Sequence, residues 1–253
     1  MLSKILQIAD KAVNLLMILC FLPILCYGIY VLWDSQHISQ QADASLYETY
    51  RPTGDDHVSF AELQKQNPEV FGWLTVEDTH INYPLVQAEN NSKYVNTDVM
   101  GEFSLSGSLF LDCRNHKDFS DFNNIIYGHH MEKDAMFGEL ESYEQASFFE
   151  KHLKGSLFYE NAWHDIEFFA FLKADAYDTV LYNVSLTNED MPAYLDAVRE
   201  RAVHYRDLPF GTEEQLIALS TCTSESTNGR HLLIGRILEQ SKHKQGELQY
   251  EKE

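Results

Sequence analysis

Leu216-Ile217-Ala218-Leu219-Ser220-Thr221-Cys222 is an apolar run that ends in a thiol, and the rest of the chain is best interpreted outward from it. A short apolar run of this kind is typical of a strand that is buried on both faces. Further on, Arg230 opens a second apolar run, residues 230–238. A third run, residues 124–129, ends at His129. The sequence therefore predicts three strands that each place a thiol, a guanidinium or an imidazole at a strand end.

Near the N-terminus, residues 12–33 carry no charged side chain, and Asn14 is their only strongly polar one. A helix of this length spans roughly 33 Å, which exceeds the hydrocarbon core of about 30 Å. Pro23 is compatible with this interpretation because membrane helices tolerate proline. A cleaved signal peptide is the alternative, but its apolar region would be shorter, about 7–15 residues. We therefore expect an uncleaved transmembrane helix.

The basic residues around this segment predict its orientation. Lys4 and Lys11 precede it, and the next basic residue is Arg51. Because basic residues favour the cytoplasmic side, we expect a single-pass cell-membrane protein whose N-terminus is cytoplasmic and whose folded part is extracellular. The predicted segments are a cytoplasmic N-terminus, a transmembrane anchor, a juxtamembrane helical spacer, a folded domain and a charged tail, at residues 1–11, 12–33, 34–58, 59–240 and 241–253.

The net charge excludes one class of partner. The chain carries a formal charge of −20, and since residues 1–33 carry +1, the remainder carries −21. Such a surface repels phosphate groups, so we expect no nucleic-acid partner.

Two cysteines, Cys113 and Cys222, lie outside the apolar segment. An extracellular location permits a disulfide between them. The other interpretation is that Cys113 is a small core residue and that Cys222 is a free thiol. The chain has no CxxC and no HExxH motif, so the sequence indicates neither a thioredoxin-type site nor a zinc site. We expect no metal and no cofactor.

The folded part contains many short strand-like runs interrupted by two amphipathic segments. The predicted strands lie at residues 70–76, 81–86, 107–112, 122–128, 155–160, 164–175, 215–222 and 230–239, and the predicted helices at 136–152 and 189–205. A capping box at residues 59–62 predicts a further short helix that ends near Pro68. This pattern indicates a mainly β fold, a barrel-like sheet with peripheral helices.

A thiolate is a strong nucleophile, and an imidazole exchanges a proton near neutral pH. Cys222 and His129 could therefore perform acyl transfer, with the planar fork of Arg230 donating to a developing oxyanion. Other interpretations stay open for each residue alone. His129 and His130 could be a surface pair, and Arg230 could form a structural ion pair. Arg236, on the same predicted strand, is a rival for the oxyanion role.

Taken together, these motifs resemble the signature of the sortases. The segments that carry the resemblance are Tyr127-Gly128-His129, Leu219-Ser220-Thr221-Cys222 and Arg230 before an apolar strand. Residues 107–112 and 124–131, and the predicted helix at 189–205, are most similar to class B. The resemblance covers residues 60–239 and implies a closed eight-stranded β-barrel on a membrane-tethered transpeptidase of Gram-positive bacteria.

The resemblance also implies roles. Cys222 would be the nucleophile, His129 the general acid/base and Arg230 the oxyanion and substrate-positioning group. Residues expected to line the peptide groove are Ser220, Thr221 and Tyr182. The implied partners are the C-terminal sorting signal of a secreted surface or pilin protein and an amine acceptor from a peptidoglycan precursor or a pilin lysine. Thr223 and Ser224 depart from the acidic residues that often follow the cysteine in the family.

Two alternatives remain at the level of sequence. The first is a thiol hydrolase that uses the same nucleophile and base with water as acceptor. The second is an anchored, non-enzymatic binding module in which Cys222 is inert or paired with Cys113.

Overall fold

The computed structural model describes residues 2–53, 58–223 and 227–240. The predicted charged tail, residues 241–253, lies outside the described residues, as do residues 54–57 of the predicted spacer. The chain forms two compact units, Met1–Gln40 and Gln41–Glu253.

Helix α1 covers Leu2–Gln41 with Pro23 inside it, and all of it except its last residue lies in the first unit. Its apolar side chains are exposed, as expected for a helix that is apolar on all sides. By length and composition, α1 could cross a membrane.

The second unit is built on a closed β-barrel, as predicted. The strands are β1 (Val70–Val76), β2 (Asn82–Val86), β3 (Leu109–Leu111), β4 (Asn123–Tyr127), β5 (Lys154–Tyr159), β6 (Ala162–Asp175), β7 (Ala202–Tyr205), β8 (Leu216–Cys222) and β9 (Gly229–Gln240). Eight of them pair in the order β1-β2-β3-β4-β8-β9-β6-β5, and the pairing of β5 with β1 closes the ring. Strand β7 is an addition to the predicted eight and pairs with β6.

Strand β8 is buried on both faces, which explains its continuous apolar sequence. Ile217 and Leu219 belong to a core cluster to which all eight barrel strands contribute, so they face the barrel interior. Leu216 and Ala218 face the opposite way and belong to a second cluster under helix α4 (Met191–Arg201). β8 is therefore a central strand, with β4 on one side and β9 on the other.

The predicted helix at 136–152 is wrong in type and extent. Residues Gly138–Glu144 form a 3-10 helix, and only Ala146–Phe149, helix α3, are α-helical. The backbone passes through the left-handed region at Lys133, Asp134 and Met136, so a helix cannot begin earlier. Between the two helices, Gln145 has an extended backbone (φ −85°, ψ 122°).

The predicted helix at 189–205 is too long. A short 3-10 helix, Asn188–Asp190, precedes α4. A capping box fixes the start of this 3-10 helix, because the Thr187 and Asp190 side chains each accept a hydrogen bond from the other's backbone N–H. Helix α4 ends at Arg201 because Ala202–Tyr205 pair with β6 as β7. Helix α2 (Val58–Gln66) lies where the capping box predicts a helix.

Residues after α1 pack on the barrel. They form two short 3-10 helices, Ala44–Leu46 and Glu48–Tyr50. Ala42 is fully buried, and its carbonyl oxygen accepts a hydrogen bond of 2.8 Å from the hydroxyl of Tyr83. This end of the predicted spacer is therefore part of the folded unit. One further 3-10 helix, Lys93–Val95, lies between β2 and β3.

Candidate active site

The centre of the site is the end of β8, where three neighbouring strands stop together. Strand β4 runs parallel to β8, with Tyr127 opposite Ser220, and the Gly128 N–H donates to the Ser220 carbonyl at 3.1 Å. Strand β9 runs antiparallel, and Cys222 lies opposite Arg230 in the last pair of the ladder. Adjacent strands lie about 4.8 Å apart. The topology therefore sets His129, Cys222 and Arg230 in a row across three strands.

The three side chains line one pocket of about 810 Å³. The other residues expected at the groove, Ser220, Thr221 and Tyr182, line the same pocket. Cys222 is exposed, and its thiol is free, as is that of Cys113. The structure thus brings all six predicted residues to one concavity and contains no disulfide between the two cysteines.

His129 is half-buried and is held by one hydrogen bond, from Nε2 to the carbonyl oxygen of Val95 at 2.7 Å. Because a carbonyl can only accept, Nε2 carries the proton in this contact. The approach of Val95 depends on Gly107 (φ +58°), where a Cβ would lie 2.6 Å from the Val95 carbonyl oxygen. A side chain at Gly128 would collide with Leu109 at 2.3 Å, so this glycine lets the chain turn His129 into the pocket.

The two candidate arginines of β9 have different surroundings. Arg230 donates from Nη1 to the carbonyl oxygens of Gly229 and Thr227, at 2.8 and 3.5 Å. Arg236 donates from Nε and Nη2 to one carboxylate oxygen of Glu167, at 3.0 and 2.7 Å, and its side chain is only 15% exposed. Arg236 lies outside the pocket that Arg230 lines. It is a structural ion-pair residue.

Two tyrosines form one wall of the pocket. The hydroxyl of Tyr182 is hydrogen-bonded to Ser220 Oγ at 2.8 Å, and its ring stacks on Tyr127 with centroids 6.4 Å apart. Burial raises the pKa of Tyr182 to about 12, so the phenol stays protonated at neutral pH. The Ser220 side chain is buried, and the Thr221 hydroxyl is buried on the other face of β8.

Sequence reasoning missed an ion pair at the edge of the pocket. Asp112 is fully buried and receives two hydrogen bonds from the side chain of Arg114, at 2.8 and 2.7 Å, and one from the Tyr127 hydroxyl at 3.0 Å. Burial raises the pKa of the Asp112 carboxyl, but the bonds from Arg114 outweigh it and hold the pKa below its usual value. The available signal was a carboxylate at the end of an apolar run with an arginine two positions later.

The chain is similar to known proteins over most of its length. No protein-family model matches it. It is 31% identical to sortase B of Listeria monocytogenes over 194 residues, which cover 75% of this chain and 78% of the relative.

Among solved structures, the class B sortase of Streptococcus pyogenes involved in pilus biogenesis is 40% identical, with a TM-score of 0.64 and coverage of 71% of this chain and 98% of that one. Sortase B from the type II pilus of Streptococcus pneumoniae is also 40% identical, with a TM-score of 0.61 and the same coverage. The Staphylococcus aureus sortase B–substrate complex is 28% identical, with a TM-score of 0.66 and coverage of 79% and 92%.

A relative above 30% identity that is matched over most of both chains, together with a barrel that places a free thiol, an imidazole and a guanidinium in one pocket, identifies the family. The chain belongs to the class B sortases and is a cysteine transpeptidase.

Proposed function

We propose that this protein is a membrane-anchored transpeptidase that cleaves the C-terminal sorting signal of a secreted protein and joins the new carboxyl end to an amine. The observation that supports this proposal is the row of His129, Cys222 and Arg230 across the ends of β4, β8 and β9. Helix α1 would hold the barrel at the cell membrane, with Lys4 and Lys11 on the cytoplasmic side and the barrel outside.

The first half of the reaction forms a thioester. The thiol proton of Cys222 passes to His129 as Sγ attacks the carbonyl carbon of the scissile peptide bond, and the oxyanion that develops is stabilised by the Arg230 guanidinium. The C–N bond then breaks as His129 gives a proton to the leaving amine. Because Val95 occupies Nε2, Nδ1 is the His129 nitrogen that gives and regains this proton.

The second half transfers the acyl group. An acceptor amine attacks the thioester carbonyl, and its proton passes to His129. The C–S bond breaks, an amide forms, and the thiol of Cys222 is regenerated. Ser220, Thr221 and Tyr182 line the pocket around Cys222, and we assign the side chains of Ser220 and Tyr182 to contacts with the sorting peptide. The Thr221 side chain faces the barrel interior, so we assign only its main chain to such contacts.

We assign the acceptor to a pilin lysine rather than to a peptidoglycan amine. The two class B sortases described with pili are 40% identical to this chain, whereas the S. aureus sortase B bound to its substrate is 28% identical. The higher identity to the two pilus-associated sortases supports pilus polymerisation as the proposed role.

The test uses the full chain in detergent micelles with a library of sorting-signal peptides. Each peptide is offered with a lysine-bearing pilin domain or with a peptidoglycan stem peptide, and the products are identified by mass spectrometry. We expect ligation to the pilin lysine, no product with Cys222→Ala, and unchanged product with the matched control Cys113→Ala. Cleavage without ligation to either amine would identify a thiol hydrolase. Ligation by Cys222→Ala would refute the proposal entirely.

A further inference from the structure

A buried histidine lies next to the site and takes no part in the reaction described above. His231 follows Arg230 on β9 and pairs with Thr221, so the two side chains face away from Cys222 and Arg230. His231 is only 2% exposed, and its ring lies 5.4 Å from that of Phe171 in the barrel core.

The carboxylate of Glu144 binds this histidine. Glu144 Oε1 accepts from His231 Nε2 at 2.9 Å, and the other carboxylate oxygen pairs with Lys173 at 2.8 Å. Lys173 itself lies opposite His231 in the β6–β9 ladder. The Glu144 carboxylate therefore ties the 3-10 helix Gly138–Glu144 to two barrel strands.

Two buried polar atoms at this position lack a hydrogen-bond partner within the described part of the chain: Nδ1 of His231 and Oγ1 of Thr221. The two residues are direct neighbours across the ladder, so their side chains lie within a few ångströms. In the neutral ring with the proton on Nε2, Nδ1 is an acceptor, and the threonine hydroxyl is a donor. A small rotation of the Thr221 side chain would allow its hydroxyl to donate to His231 Nδ1. The hydrogen bonds would then run from Glu144 through His231 to Thr221, the residue before Cys222.

The same 3-10 helix contacts the other side of the site. Glu141 Oε2 lies 3.5 Å from Nε2 of His130, the residue after His129. Gly138 packs so tightly on the Met131 carbonyl that a Cβ there would come within 2.0 Å of its oxygen. One short helix therefore contacts the residues that directly follow His129 and Arg230.

We propose that His231 is a positioning residue: bound to Glu144, it fixes the ends of β8 and β9 on this helix and keeps Cys222 and Arg230 aligned with His129. The role rests on the proposed function, since it concerns the geometry of that catalytic row. Such alignment matters because misplacement by about 1 Å can slow a reaction by about 100-fold.

The charges around His231 give the role a pH dependence. Burial lowers its pKa most, and Lys173 lowers it further, whereas Glu144 and Glu141 raise it. The net pKa lies below the usual 6.5, so the neutral ring is the form present at neutral pH. Protonation at acidic pH removes the Nδ1 acceptor and places a charge inside the barrel, which destabilises this alignment.

The test compares full-length variants in micelles for peptide cleavage, melting temperature and the pH profile of Cys222 alkylation by iodoacetamide, with Cys113 as an internal reference. We expect His231→Leu to lower kcat about tenfold while KM changes by less than about twofold. His231→Gln retains a donor near the Nε2 position and should recover most of the activity. His204→Gln is the matched control, because His204 Nε2, on β7, donates to the main-chain carbonyl of Glu144 and not to its carboxylate.

If His231→Leu does not fold, Glu144→Gln provides the test of the positioning role. We expect this variant to have a lower kcat and a melting temperature near that of the wild type. A wild-type kcat in the folded variants, with an unchanged Cys222 alkylation profile, overturns the positioning role while leaving the proposed function intact. A wild-type chain that turns over no peptide refutes the proposed function instead, and the alkylation profiles then judge His231 independently.

Discussion

The two arginines of β9, Arg230 and Arg236, lie on the same face of the strand, but their surroundings differ. Arg236 is enclosed, and its charge is balanced by Glu167. Arg230 is at the open end of the ladder, and its partners among the described residues are backbone carbonyl oxygens. A carbonyl orients a guanidinium without neutralising it, so no partner among the described residues balances the positive charge of Arg230. The comparison supports the proposed binding role of Arg230, because the local partner, and not the residue type or strand position, distinguishes it from the structural Arg236.

The largest expected effect comes from removing the guanidinium of Arg230, which no carboxylate among the described residues neutralises. Arg230→Ala should lower kcat/KM by about 100- to 1,000-fold, the usual cost of losing an oxyanion donor. Its melting temperature should stay close to that of the wild type, because no carboxylate among the described residues loses a partner. Peptide cleavage and thermal unfolding, measured on the same sample, check the expected loss of kcat/KM and the expected melting temperature. Wild-type kinetics in this variant would remove Arg230 from the mechanism.

Substitution of Arg236 should lower the stability of the protein and leave its cleavage kinetics unchanged. Arg236→Met keeps the bulk of the side chain but leaves Glu167 without two hydrogen bonds. The free energy of unfolding should fall by about 1–3 kcal/mol. Cleavage kinetics below the melting temperature should match the wild type. A loss of kcat without a loss of stability would contradict the separation of the two arginines.

The smallest effect concerns pH and the Glu167 carboxyl. Burial raises its pKa, but the bonds and charges of Arg236 and Arg206 outweigh burial, so the net pKa lies below the ordinary 4.5. A carboxyl whose pKa is lowered by folding stabilises the protein fully above its unfolded pKa, and that stabilisation is lost as pH falls through the folded pKa.

The melting temperature of Glu167→Gln should therefore lie below that of the wild type at neutral pH, and the gap should narrow as pH falls below 4.5. Glu150→Gln, which changes an exposed carboxylate, is the control and should track the wild type throughout. A gap that does not change with pH would show that the ion pair contributes through packing alone.

Much of the barrel could be predicted because a strand that is buried on both faces has a continuously apolar sequence. The runs at residues 122–128 and 215–222 are apolar without alternation, which is the pattern of central strands. Local backbone conformation left a weaker mark. The segment 136–152 has the apolar spacing of a helix, and Tyr143 and Phe149 are indeed buried. Left-handed residues before Gly138 nevertheless delay the start of the helix, and the extended backbone of Gln145 divides it in two.

Pairing between distant strands could not be predicted. The sequence presents the thiol, the imidazole and the guanidinium at three strand ends, but only the parallel pairing of β4 with β8 sets His129 beside Cys222. The Val95 carbonyl that holds His129 has no sequence signal, because every residue has a carbonyl. The Glu144–His231 contact joins positions 87 residues apart and depends on how the barrel closes.

The order of the strands along the chain has a consequence for biosynthesis. β8 and β9 are the last of the described strands to be made, yet they fill the gap between β4 and β6. Until they are complete, the growing polypeptide has an open sheet with two unpaired edges and lacks Cys222, the proposed nucleophile, so it cannot form a thioester with a sorting peptide. Transpeptidase activity is therefore expected only after β8 and β9 have been synthesised. A chain that ends before β8 would have no activity and would be prone to aggregation through its unpaired strand edges.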